Sequence, residues 1–324
     1  MNDVPSKSLI TLALLRKSGG SFVSKYFVYM SLAGLIVFFT FASPYFLTAQ
    51  NLFNIGRQTS TVTIIAVGMA FVIINAQIDL SVGSVFALSG MASAIAMQYV
   101  VNFWLLGALA AIAVGVLFGF LNGWIVVKLG VPSFLATLGT LGIARGIALI
   151  ITDTKPVLIS NPAYFGIFGE TSFFGLPIAV IWTLVVAAIG FVVLHKTPFG
   201  LRVFATGGNA RAALYTGINT HRTIIFSFMG TGALVGLASI LFTGISRAAR
   251  PDMAAGLELD VIAAVILGGV SLFGGRGTII GVVAGSLIIG VMNNGLVLMG
   301  VSSSIQEVIK GIIIVAAVAL ARKK

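Results

Sequence analysis

The sequence predicts an all-α polytopic membrane protein with about ten transmembrane helices, some of them broken or re-entrant. Three observations carry that expectation. Of 324 residues, 58% are hydrophobic and only 8% charged, with a mean hydropathy of +1.12. A soluble globule of this composition would leave large apolar patches in water, which a bilayer accepts. The apolar residues also gather in runs near the ~20 residues that a helix needs to cross a hydrocarbon core of about 30 Å, too long for barrel strands. Finally, the basic residues fall unevenly between successive connections, as they do when basic loops stay on the cytoplasmic side.

The elements follow in order. Residues 1–25 carry Lys7, Arg16, Lys17 and Lys25 and precede a long apolar run at 26–43 that lacks a small-x-small cleavage site. They read as a cytoplasmic segment ahead of an uncleaved anchor. The polar block NLFNIGRQTS (51–60) separates this run from a span at 60–77. Asp79 then interrupts the chain and is placed to cap a helix beginning at Leu80, its carboxylate accepting from N–H groups at the positive helix end, so that a broken span covers 80–100. Spans at 103–127 and 133–151 are separated by Lys128 and Pro132. A more polar stretch leads to 176–195. Residues 196–223 form a basic, acid-free loop holding GGNARAALYTGINTHRT (207–223), and 224–242 follows. The run at 261–273 is too short to cross alone, GGRGT (274–278) reads as a tight interhelical turn, and 279–299 and 303–320 complete the count. Residues 26–324 therefore constitute one transmembrane domain.

With a cytoplasmic N-terminus, ten crossings place Lys7, Arg16, Lys17, Lys25, Lys128, Lys196, Arg202, Arg211, Arg222, Arg276, Arg322, Lys323 and Lys324 inside, against Arg57, Lys155, Arg247 and Arg250 outside. Both termini and the 196–223 loop are then cytoplasmic. The net charge of +11 is accounted for by basic ends facing anionic lipid headgroups and calls for no nucleic acid.

The halves of the chain echo one another. Asp79 opens DLSVGSVFALSG and Asp260 opens DVIAAVILGG; GFLNG (119–123) and GVPSFLATLG (130–139) are matched in the same order by GVMNNG (290–295) and GVSSSIQEVIKG (300–311). The members of each pair are offset by five spans, an odd number, so the second copy would run upside down. That is the inverted-repeat plan of many transporters, whose paths lie between the repeats.

Ionisable groups at membrane depth are few: Asp79, Arg145, Glu307 and Lys310. Glu307 and Lys310 stand three apart on one helical face and are expected to neutralise each other. His195 and His221 have no carboxylate beside them in sequence and suggest no metal or catalytic role, and the absence of cysteine removes disulfides and thiolate chemistry. No P-loop is present, since GGRGT has glycines without the spacing or the lysine. The chain is therefore not expected to hydrolyse ATP, and no clustered nucleophile, base or metal ligands suggest an enzyme. A path for a small polar solute would need hydrogen-bonding groups, best neutral ones: Asn75, Gln77 and Ser81 around the break, Asp79 itself if it contacts substrate instead of capping, and Asn293 and Asn294 in the ninth span are the candidates, the amides and hydroxyl equally able to bind one helix to another.

The blocks NLFNIGRQTS (51–60), AVGMAFVIINAQIDLSVGS (66–84), the GGN…GI loop (207–218) and residues 258–296 closely resemble the permease subunits of bacterial ABC importers for monosaccharides, the ribose-type permease family, from about residue 45 to the C-terminus. The resemblance implies a homodimeric permease of the bacterial inner membrane, working by alternating access, with no cofactor of its own. ATP and Mg²⁺ would sit on a partner ATPase, and an external sugar-binding protein would deliver the cargo. It further implies that the loop after the sixth span forms a short coupling helix docked on the ATPase. Gly207, Gly208, Asn209, Arg211, Gly217 and Ile218 match this loop, with Gly217 where the chain turns back to the membrane. Ala210 departs from the pattern, since related loops usually carry an acid there. The competing class is a self-sufficient channel or secondary carrier, separated by whether transport by the chain alone survives without its partners.

Overall fold

A computed structural model describes residues 28–173 and 175–321; the basic residues expected at both termini, Lys7 to Lys25 and Arg322 to Lys324, lie outside them. The chain is mostly helical. Helices run in order α1 (Val28–Ala42), α2 (Ala49–Ile74), α3 (Val82–Ile95, prolonged by a π turn to Val100), α4 (Trp104–Lys128), α5 (Ser133–Ile150), α6 (Pro162–Phe168), α7 (Ile178–Lys196), α8 (Pro198–Gly208), α9 (Ala210–Tyr215), α10 (Thr220–Ser246), α11 (Leu257–Leu267), α12 (Ile279–Leu298) and α13 (Ser303–Ala321). Among the described residues seven are long and apolar enough to cross a membrane: α2, α3 with its π turn, α4, α5, α7, α10 and α12.

A helix lies in each expected span, but α1, α11 and α13 fall outside those seven, and two boundaries, the form of the 196–223 loop and one pairing differ. α2 starts at Ala49 instead of residue 60. The polar block that looked like a loop is helical because Thr48 caps it, accepting from the Asn51 N–H, and because Asn51 and Thr59 meet α12. α11 is only 11 residues long, preceded by a turn at 250–256. The 196–223 loop is mostly helical, as α8 and α9. Lys310 pairs with Asp260 of α11 at 2.9 Å, both largely buried, while Glu307 is exposed. A partly buried carboxylate left alone would be costly, and it takes the ammonium from the exposed competitor. The all-α expectation is also amended by two minimal antiparallel strand pairs, β1 (Val157–Leu158) with β4 (Ala248–Ala249) and β2 (Ser172–Phe173) with β3 (Leu176–Pro177).

α2 is the central helix, with Ile64, Ile65, Met69, Ile73 and Ile74 fully buried. Its face toward α12 is a polar ladder. Asn51 and Asn294 exchange two amide hydrogen bonds of 2.9 Å, and the Thr63 and Ser286 hydroxyls meet at 2.7 Å. Between them Thr59 packs on Gly290, where a Cβ would lie 1.9 Å from Thr59 Oγ1. α4 and α10 instead touch backbone to backbone. A Cβ on Gly115 would fall 2.0 Å from the Gly232 carbonyl oxygen, and one on Gly232 equally close to that of Gly115. In lipid, where apolar burial gives no net drive, such close approach is what binds helices.

The two ends of the bundle are built differently. At one end the 152–177 connection meets the 247–256 segment through β1 and β4, through an ion pair between Arg247 and Glu170, and through Arg247 over the Phe165 ring at 5.0 Å. Tyr164 of α6, fully buried, inserts between α3 and α10, its hydroxyl 2.8 Å from Thr243 Oγ1 and 3.1 Å from Ser93 Oγ. At the other end the termini of α2 and α8 meet the 274–275 turn.

Candidate functional site

The chain leaves α2 at Asn75. The Ala76 N–H donates to Ile73 O (2.8 Å) and Gln77 N–H to Val72 O (3.1 Å), the paired bonds of a Schellman ending. The residue in the left-handed position is Ala76 (φ 59°), where glycine is usual. Asn75 turns its amide back to Phe71 O (3.0 Å) and across to Ser227 Oγ of α10 (2.7 Å). Beyond it the peptide is stretched, and α5 supplies acceptors for its freed donors: Ser133 Oγ for the Ile78 N–H (3.1 Å) and Thr137 Oγ1 for the Leu80 N–H (3.0 Å). Non-helical backbone at this depth survives only with such partners.

Asp79 does not cap a helix from Leu80. α3 begins at Val82, with Ser81 at the cap position and no side-chain cap. The Asp79 carboxylate accepts instead from the Ser81 N–H (2.9 Å) and hydroxyl (2.6 Å), an Asx-turn that closes on residue 81 just before α3. The network continues outward: Asn122 Nδ2 of α4 donates to Ser81 Oγ (2.9 Å), and Thr140 of α5 donates to Asn122 Oδ1 (2.6 Å). Five residues further along α5, Arg145 Nη1 reaches Pro251 O (2.5 Å) and Met253 O (3.1 Å), tying α5 to the turn before α11. The Glu258 carboxylate lies over Gly83, where a Cβ would be 2.3 Å from Oε2.

Asn75, Gln77, Asp79 and Ser81 thus gather at one helix break. Asn294 is spent on Asn51 and stands outside that network, and Asn293 is half-buried with its Oδ1 unpartnered. The sequence reading missed Asn122, Ser133, Thr137 and Thr140. Their signal was present: three hydroxyls spaced four and three apart form a polar stripe on an otherwise apolar α5.

At the opposite side of the break, the 196–223 segment is built from caps. Pro198 opens α8 and Asn209 caps α9, its Oδ1 accepting from the Ala212 N–H (3.0 Å). α9 closes with Gly217 left-handed (φ 85°), the Gly217 and Ile218 N–H groups donating to Leu214 O and Ala213 O at 3.0 Å each. Asn219 then caps α10, accepting from the Arg222 N–H (3.0 Å). Val203 and Ala213 are buried, whereas Leu201, Leu214 and Tyr215 are exposed, Tyr215 at 92%, beside exposed Arg202, Gly208 and Arg211. Gly207 packs inward against Ile74. His195 accepts the Ile279 N–H at 3.4 Å and lies 4.9 Å from the Phe191 ring, joining α7 to the start of α12.

The family model described as branched-chain amino acid transport system / permease component matches residues 51–318. The ribose import permease protein of Bacillus subtilis (strain 168) is 42% identical over 91% of this chain and 92% of its own length. The ribose import permease protein of Escherichia coli (strain K12) is 41% identical over the same shares, and the D-allose transport system permease protein of that strain 40% over 93% and 92%. No solved structure matches. Matched by that family over most of its length, and aligned nearly end to end with sugar permeases, the chain belongs to this family of transport-system permease components.

Proposed function

We propose that the chain is the membrane-spanning permease subunit of an ATP-driven importer of a monosaccharide in the bacterial inner membrane, working by alternating access. The observation that carries this is the near end-to-end identity of about 40% with permeases named for ribose and allose. The family's description names branched-chain amino acids; the break favours a sugar, since Asn75, Gln77, Ser81, Asn122 and Thr140 offer neutral amides and hydroxyls that suit a polyhydroxylated, uncharged solute.

In this reading α1, α11 and α13 join the seven long helices to make ten spans, with both termini cytoplasmic. The break before α3 and the turn before α11 occupy corresponding places in two inverted repeats, and the polar residues of the break line the path between them. Two copies associate. The 196–223 segment docks on a partner ATPase, which carries ATP and Mg²⁺. Exposed Leu214 and Tyr215 supply the apolar contact, and Arg211, next to Ala210, the polar one. The end bearing α6 and the 247–256 segment meets a periplasmic sugar-binding protein.

Reconstitution tests this. Proteoliposomes holding the chain with its ATPase are expected to accumulate labelled D-ribose, D-allose or L-arabinose only when ATP and the binding protein are both supplied. Uptake by the chain alone, at a rate unaffected by ATP, would make it a channel or secondary carrier.

A further inference from the structure

We propose that Gly207, Gly274 and Gly275 form a main-chain joint that passes movement of the docked loop directly to the helix break at 75–81, making them positioning residues for coupled transport. The inference rests on the docking of the 196–223 segment.

Three segments distant in sequence meet here without side chains between them. The carbonyl of Ile74, the last residue of α2, accepts the Gly275 N–H at 2.9 Å. The same oxygen lies where a Cβ on Gly207 would be 1.6 Å away. A Cβ on Gly274 would fall 2.6 Å from the Gly207 carbonyl oxygen and 2.9 Å from Ala76 Cβ, and one on Gly275 would fall 2.8 Å from Gly208 Cα. Gly274 and Gly275 are both left-handed, at φ 81° and 71°. Side-chain contacts absorb displacement by changing rotamer; main chain against main chain has no such slack, so a shift of the α8 terminus must move the end of α2 or open the joint. Two residues past Ile74 the strained Ala76 begins the break that leads to Asp79, Ser81 and Asn122.

A second observation marks the joint as one of two arrangements. Asn75 Oδ1 and Thr206 Oγ1, one on each side of it, are buried and have no hydrogen-bond partner. A buried acceptor and a buried hydroxyl left unpaired disfavour the arrangement that strands them, relative to one in which they are satisfied. The joint is thus biased to rearrange when α9 is pulled, which supplies the two-state element that coupling between sites requires.

The test uses the permease reconstituted with its ATPase and binding protein. In the wild-type complex, adding ATP is expected to change amide hydrogen exchange at Gly275 and across residues 75–81. Thr206→Val, which keeps the side-chain shape, is expected to retain the ATPase and to hydrolyse ATP, with ribose, allose or arabinose uptake per ATP falling about threefold to tenfold, the worth of one buried hydrogen bond; Gly207→Ala, whose Cβ forces the joint open, is expected to lower that ratio further. A merely structural role would lower the amount of folded complex and leave that ratio unchanged. If Gly207→Ala yields no folded complex, Thr206→Val and the exchange measurement decide. Unchanged exchange on ATP addition, or a wild-type ratio in the folded variants, overturns the joint. Failure of docking itself reads differently, as ATPase retention that ignores changes in α9.

Discussion

Gly217 carries the sharpest conformational demand of the loop. Its φ of 85° and the two N–H bonds that close α9 leave nothing within 4 Å of where a Cβ would stand, so the need is for backbone freedom and not for space. A β-branched residue in the left-handed region costs about 1–2 kcal/mol. Gly217→Val is therefore expected to leave the protein inserted and soluble in detergent yet to release α9 from its set angle, lowering ATPase co-purification severalfold; valine at exposed Ser172, at the opposite end, is the control. Co-purification at the wild-type level would detach the loop from docking. The turn at Gly217 was read through the family resemblance; the Asn209 and Asn219 caps that frame it emerge only in the structure. The Lys310 pairing was not legible: Glu307 is nearer in sequence, but the choice between carboxylates is made by burial at the α11–α13 contact, a property of packing.

Among the helices, the α4–α10 crossing depends on facing glycines. Gly232→Val would drive its side chain into the Gly115 carbonyl and separate the backbones, an overpacking cost of about 1–3 kcal/mol or more. Gly230 lies on the same helix with nothing within 4 Å of its Cβ position. Gly232→Val is expected to reduce the yield of monodisperse protein in size-exclusion chromatography, and Gly230→Val to leave it unchanged; equal behaviour of the two would remove the close crossing as the binding force. Helix existence was readable because long apolar runs announce themselves. The start of α2 was misplaced because Asn51 and Thr59 look like loop until Asn294 and Gly290 arrive from α12, more than 230 residues away, to receive them. The break at 75–81 was visible through Asp79, but its acceptors on α5 came from elsewhere in the chain.

Across the whole molecule, the strand pair β1–β4 gathers the connections 152–177 and 247–249 at one end, and the contact of Gly275 with Ile74 gathers 197–219 and 268–278 at the other. A chain naturally free of cysteine makes the sidedness of these ends measurable: a single cysteine at Ser172 should react with an impermeant thiol reagent on intact cells, and one at Thr216 only after permeabilisation. The reverse pattern would invert the orientation. The chemistry of the two ends also divides their response to solution conditions. Arg247 with Glu170, Arg250 with Asp252 and Lys155 with Asp153 are solvent-accessible pairs of opposite charge, which dissolved ions screen over about 10 Å at 0.1 M. The joint of Ile74, Gly207 and Gly275 contains no charge to screen. Raising the ionic strength is therefore expected to slacken the end that carries these pairs while leaving the joint as tight as before, a one-sided control set by where the chain places its ion pairs.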